Sequence, residues 1–285
     1  MKKILITGAA GQLGSELRDL YKERTDVTTF FLDREQLALD DTASIKEGLK
    51  EYNPDFIIHG AGYTAVDRAE SEIELADKVN HLASGEIAKY CAAYGAKLIA
   101  ISTDYVFDGN SSSPLKEDAE VNPINIYGET KLKGEQAILR YCPESIIIRT
   151  AWVYSTYGNN FVKTMLRLMN ERNEISVIND QIGSPTYARD LAQTIVGIID
   201  SGSWNSGIYH YSNEGEISWY DFAVAIKEIK NLECTIHAIP TTAYPTPAKR
   251  PKFSLLNKSK IKDTYAITVP YWRDSLVEML NKISL

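Results

Sequence analysis

Residues 4–14 read ILITGAAGQLG. Four apolar or β-branched residues run straight into three glycines spaced by three, Gly8, Gly11 and Gly14. A short apolar run ended by a turn signal reads as a buried strand. The glycines then open a helical pattern, Leu13, Leu17 and Leu20. In a strand–turn–helix unit Gly8 permits the tight turn, Gly11 lets a phosphate approach the backbone, and Gly14 allows helix and sheet to pack closely. Gln12 and Leu13 fall at the helix start, where free N–H groups face an anion. The spacing GxxGxxG differs from the commoner GxGxxG, so it is the strand–helix context that points to a dinucleotide.

Working outward, the same unit repeats. Strands are predicted at VTTFFL (27–32), DFIIHG (55–60), KLIAIS (97–102) and SIIIRT (145–150), with helical patterns between them. Apolar strands alternating with helices indicate a mostly parallel sheet covered on both faces. The expected fold is therefore α/β, a Rossmann-type parallel sheet flanked by helices. Residues 1–150 would form the dinucleotide-binding and catalytic domain, and 151–285 mainly a smaller mixed α/β substrate-binding lobe. That lobe is expected over the carboxyl edge of the sheet, with some segments returning to the first domain. Val177, in the strand pattern ISVI at 175–178, is the candidate for such a return. TTAYPTPAKRP at 241–251 holds three prolines and reads as loop.

Gross composition narrows the function. The 285 residues are 44% hydrophobic with a net charge of −7, and the charges are mixed along the chain. No basic block suggests nucleic acid, and no apolar run nears the roughly 20 residues of a membrane span. Three scattered cysteines, Cys91, Cys142 and Cys234, suit a reducing compartment, so a cytoplasmic protein is expected. The four histidines lack the spacing of a zinc site.

Ligands of open α/β sheets bind beyond the strands' carboxyl ends. Asp33 ends the second strand, where a carboxylate accepts from a ribose 2′-hydroxyl and favours NADH. Arg34 beside it would instead hold the 2′-phosphate of NADPH; the alternative for both is a solvated turn. Either Asp40 or Asp41, in QLALDD at 36–41, is expected beneath the adenine. After the third strand, small Ala61 and Gly62 would let the cofactor pass, and Tyr63 would either cover the nicotinamide side or simply pack.

The fourth strand ends in ISTDYVFDG and is followed by NIYGETKLKGE at 125–135. Thr103 thus stands near the cofactor with a hydroxyl for a carbonyl oxygen, and Tyr127 and Lys131 share one helix face. Hydride reduction of a ketone leaves an oxyanion that needs a proton. A tyrosine donates it, a neighbouring ammonium is expected to lower the phenol's pKa, and the threonine fixes the substrate oxygen. Lys131 would also hold the nicotinamide ribose. YxxxK alone is common on solvated helices; the glycine turn and the strand-end hydroxyl are what make this one a candidate site.

With these motifs, and AGYTAVDRAE (61–70), RTAWVYSTYGNNFVKTML (149–166), DQIGSPTYARDLA (180–192) and KRPKFSLLNKSKI (249–261), the chain resembles the extended short-chain dehydrogenase/reductases and, within them, the dTDP-4-dehydrorhamnose reductases. The likeness runs over essentially the whole chain. It implies reduction of C4 of dTDP-4-dehydro-β-L-rhamnose by NADPH or NADH, the last step of dTDP-L-rhamnose formation. It also implies that Asp104 and Trp152 meet the sugar and that Arg250, with Ser254 nearby, meets the diphosphate. Some members are described as Mg2+-linked homodimers with glutamates from both chains. Glu16 and Glu278 are the acidic candidates here, but TYARDLA offers Arg189 beside Asp190 and no glutamate, so a monomer or weak homodimer without a metal cage is expected. Two alternatives stay open. One is another nucleotide-sugar reductase or epimerase, and the other is a regulatory subunit resembling that of methionine adenosyltransferase.

Overall fold

The computed structural model describes residues 1–283. Six strands form the main sheet: β1 (Lys2–Thr7), β2 (Val27–Leu32), β3 (Phe56–His59), β4 (Lys97–Thr103), β5 (Ile146–Thr150) and β6 (Gly207–His210). Their order is β6-β5-β4-β3-β1-β2, and every pairing is parallel. Parallel strands need covered crossovers, and two apolar layers supply the cover. On one face the helices Gln12–Tyr21 and Ala188–Asp200 pack through Leu17, Leu191 and Ile195 against Ile4, Ile6 and Ile148. On the other, the helices Ala83–Tyr94 and Ile126–Tyr141 bring Ile87, Ala88 and Ile138 against Leu5, Ile57, Leu98 and Ile147. Strands buried on both faces are near-continuous apolar runs, which is why they were legible.

The second half builds a further apolar cluster in which Tyr154, Val162, Phe222, Trp272 and Leu276 meet. The strand Glu174–Ile178 does not return to the main sheet. It pairs in parallel with Thr235–Ile239 in a separate two-stranded sheet. The segment that does join the main sheet is β6, bonded to β5 at its edge. The proline-rich loop contains one short 3-10 turn, Thr241–Ala243. Among the described residues no helix is long and apolar enough to cross a membrane.

Candidate active site

A cleft of about 760 Å³ runs along the carboxyl ends of the strands, from Asp33 beyond β2, past Gly8 and Ala61, to Thr103, Tyr127, Lys131 and Trp152. Its size suits a dinucleotide-class ligand. Gly8 has φ +77°, and a Cβ there would stand 2.8 Å from the Ala61 nitrogen. No side chain fits between the two turns, so the backbone itself is offered to the ligand. Gly11 precedes the helix Gln12–Tyr21, whose first turn carries no acidic residue to compete with an anion. Gln12 is fixed from the other lobe: its Nε2 donates to the Val153 carbonyl at 3.3 Å, and its Oε1 accepts from Asn160 Nδ2 at 3.0 Å.

Gly11, Gln12, Leu13, Asp33, Arg34, Asp40, Ala61, Gly62 and Tyr63 line this cleft, but Gly14 and Asp41 do not. A Cβ on Gly14 would sit 2.3 Å from the Gly8 carbonyl oxygen, so its role is packing under the turn. Asp41 faces a neighbouring surface depression shared with Asp40, Glu72 and Glu74. Asp33 Oδ1 caps its own turn, accepting from the nitrogens of Glu35 at 2.9 Å and Gln36 at 3.3 Å. Arg34 is 78% exposed and reaches Asp40 at 2.7 Å. Tyr63 turns its hydroxyl to Glu72 at 2.7 Å, while its backbone N–H donates to Asn80 at 2.8 Å.

At the inner end, β4 and the helix Ile126–Tyr141 converge. Asn125 caps that helix: its Oδ1 accepts from the Gly128 nitrogen at 2.8 Å. Thr103 is 5% exposed; its Oγ1 accepts from the Tyr105 nitrogen at 3.2 Å and donates to Asp104 Oδ1 at 3.1 Å. The Tyr127 ring meets Tyr105 edge-on, with centroids 5.5 Å apart. Lys131 Nζ donates to the Ile101 carbonyl at 2.7 Å. Tyr127 and Lys131 are half-buried, and both line the cleft.

Burial dominates the electrostatics. It pushes the Tyr127 phenol up to about 12, the Asp104 carboxylate adding to the rise and the Thr103 hydroxyl opposing it. It pulls the Lys131 ammonium down to about 8, against the raising effect of Glu135. The lowered phenol pKa expected beside Lys131 is therefore not the net result. Loss of water is the largest cause, and Lys131, itself desolvated and bonded to Ile101, is not among the groups that lower it. At neutral pH Tyr127 is the phenol, the form that can give a proton away.

This geometry can be set beside known proteins. A sequence profile described as RmlD substrate binding domain matches residues 1–285. The dTDP-4-dehydrorhamnose reductase of Escherichia coli K12 is 40% identical over 291 residues, covering 98% of this chain and 97% of its own. The chain belongs to the dTDP-4-dehydrorhamnose reductase family. Spore coat polysaccharide biosynthesis protein SpsK of Bacillus subtilis 168 is 40% identical over 285 residues, covering 100% of this chain and 99% of its own. Two crystal structures of family reductases superpose with TM-scores of 0.94. One is from Clostridium acetobutylicum, 38% identical over 98% of both chains. The other, from Bacillus anthracis in complex with NADP, is 39% identical over 99% of this chain and 100% of that one.

The four residues expected to meet the substrate are placed in different ways. Trp152 lines the cleft and stacks within the second half on Trp219, at 3.7 Å between centroids, from a backbone φ of +49°. Asp104 is 1% exposed, and burial raises its carboxyl to about 6 against the lowering effect of the Ser254 and Thr103 hydroxyls. Its Oδ2 has no protein partner. Arg250 and Ser254 stand outside the cleft wall. Arg250 makes a forked pair with Asp67, Nη1 to Oδ1 at 3.0 Å and Nη2 to Oδ2 at 2.8 Å, and also donates to the Ala248 carbonyl at 2.9 Å.

Of the two metal candidates, Glu16 is buried and Glu278 half exposed. Glu16 accepts from Ser155 Oγ at 2.6 Å and faces Arg189 at 3.6 Å, while Glu278 pairs with Lys282 at 2.7 Å. A cation beside Glu16 does not fit a magnesium ligand set.

Sequence reasoning missed four residues of the site. Tyr105 stands against Tyr127, Asp67 holds Arg250, Asn80 ties the Tyr63 backbone to Thr130, and Glu135 faces the interior below Lys131. One signal was available for Asn80: it shares a helical face with Ala76, Ala83 and Ile87, where Ser84 is the other polar residue.

Proposed function

We propose that this chain reduces the C4 ketone of dTDP-4-dehydro-β-L-rhamnose with NAD(P)H, giving dTDP-L-rhamnose. The observation that carries the reading is the convergence of Thr103, Tyr127 and Lys131 on one end of the dinucleotide cleft, in a chain that matches the reductase family along its length. Bound NAD(P)H supplies the hydride that C4 receives. Thr103, turning its hydroxyl proton away from Asp104, offers it to the C4 oxygen, and Tyr127, kept a phenol by burial, delivers the proton that oxygen requires. Lys131, three donors on one nitrogen, holds the ribose with those not given to Ile101 and steadies the phenolate left behind.

Arg34, exposed at the cleft rim, supports use of the 2′-phosphate of NADPH. Asp33 beside it supports NADH, and both cofactors are within the reading. Glu16 and Glu278, each already holding an internal partner, support a monomer or weak homodimer without a metal bridge. The deciding experiment follows nicotinamide absorbance with freshly generated dTDP-4-dehydro-β-L-rhamnose, NADH and NADPH in separate cuvettes. Oxidation with dTDP-L-rhamnose formed is expected. A folded protein that oxidises neither cofactor overturns the proposal.

A further inference from the structure

We propose that Glu135 is a positioning residue for Lys131: anchored by Arg149 and Ser102, its carboxylate supplies the counter-charge that keeps the lysine an ammonium. The inference rests on the catalytic reading of Lys131 given above. The two residues lie four apart on the Tyr127 helix, one turn along the same face. Both line an internal cavity of about 10 Å³, with His59, Asn80, Ser84 and Ser102 among its other walls. The cavity has room for at most about one water, so little solvent screens one charge from the other.

The carboxylate is held rigidly. Glu135 is 3% exposed and accepts from Arg149 Nε at 3.0 and 3.2 Å, Arg149 Nη2 at 2.7 Å and Ser102 Oγ at 2.5 Å. Lys131 is tethered to Ile101, the neighbour of Ser102 on β4, so amine and carboxylate are fixed to adjacent residues of one strand. Arg149 does not line the cavity. Lys131 and Glu135 both do, so the carboxylate, held from its other side by Arg149, shares the cavity with the lysine.

No other titratable group around Lys131 can take this part. His59 on β3 places its ring nitrogens on Thr7 at 2.8 Å and Ser84 at 3.2 Å, and burial pulls it down to about 3, so it is neutral. Tyr127 on the same helix is a phenol. Asp104, after β4, is turned to Thr103 at 3.1 Å. Desolvation drives Lys131 toward the neutral amine, and Glu135 opposes it.

The test uses the full chain and measures NADPH binding by fluorescence, and kcat/KM, from about pH 6 to 10. It compares wild type with Glu135→Gln and with Glu135→Gln combined with Arg149→Met. In Glu135→Gln the alkaline limb of both profiles should move down by about one pH unit. In the double variant it should move less, because a repelling cation leaves together with the anion. A folded Glu135→Gln protein whose limb coincides with wild type overturns the proposal; an ion pair of purely structural value would lower the melting temperature and leave the limb in place. If the single variant does not fold because Arg149 is stranded, the double variant decides by the same criterion. The cofactor titration needs no sugar. A wild type that binds NADPH but turns over no substrate would sink the reductase reading while the limb still decides on Glu135.

Discussion

As the proposed proton donor, Tyr127 should show its removal in rate and not in binding. Tyr127→Phe deletes one hydroxyl at almost constant volume; kcat is expected to fall by about 10²–10⁴-fold with NADPH affinity retained, and near-normal turnover would dismiss the acid assignment. Asp104 makes a second prediction at this scale. Burial raises its folded pKa to about 6, above the ordinary carboxylate value, so between about pH 4 and 6 the folded state holds a proton that the unfolded chain has lost. Stability contributed by that proton is complete below the window and disappears as pH rises through it, a loss of up to about 3 kcal/mol. Urea midpoints of wild type and Asp104→Asn should therefore draw apart across this range, the wild type losing relative stability as pH increases. Parallel curves would show that Asp104 ionises as freely as in water. Neither residue's environment was legible in the sequence. A motif places a hydroxyl beside an ammonium, but the loss of water that raises the phenol depends on what the folded chain packs around it.

At the scale of elements, the Tyr127 helix is held by backbone contact as much as by side chains. A Cβ on Gly134 would lie 2.2 Å from the Asn80 carbonyl oxygen, within the π-helical segment Lys78–Leu82. Gly134→Ala must push the two elements apart and should cost about 1–3 kcal/mol. Gly197, inside the helix Ala188–Asp200, has nothing within 4 Å of where a Cβ would go. Gly197→Ala should instead add about 0.4–1 kcal/mol by restricting the unfolded chain. Thermal melts that rank the two variants the other way would refute this account of the packing. The helices and the five strands of the first half were readable because each is apolar at its own period. The partnering of Glu174–Ile178 with Thr235–Ile239 was not, since local periodicity marks a strand and says nothing of its neighbour sixty residues away. Asn80 and Glu135 were missed for a related reason: a polar residue in a helix is assigned to solvent until the fold turns it inward.

Across the whole molecule, Arg250 from the second half and Asp67 from the first meet beside the inner cleft. If Arg250 serves the diphosphate, Arg250→Ala should raise the KM for the nucleotide sugar by about 10–100-fold, the worth of a charged hydrogen bond, while NADPH affinity stays the same. Equal weakening of both ligands would instead mark the residue as a support of the fold. The two halves are joined more deeply than by this pair. β6 belongs to the second half by sequence and to the first by hydrogen bonding, where it covers the outer edge of β5. During synthesis, β5 leaves the ribosome about sixty residues before its neighbour exists. Until then the nascent chain presents Ile146, Ile147 and Ile148 on an open strand edge, a surface that invites pairing with other chains. A fragment ending near Thr150 would carry every proposed catalytic group and still lack its last strand, and it should collect in the insoluble fraction where the full chain does not.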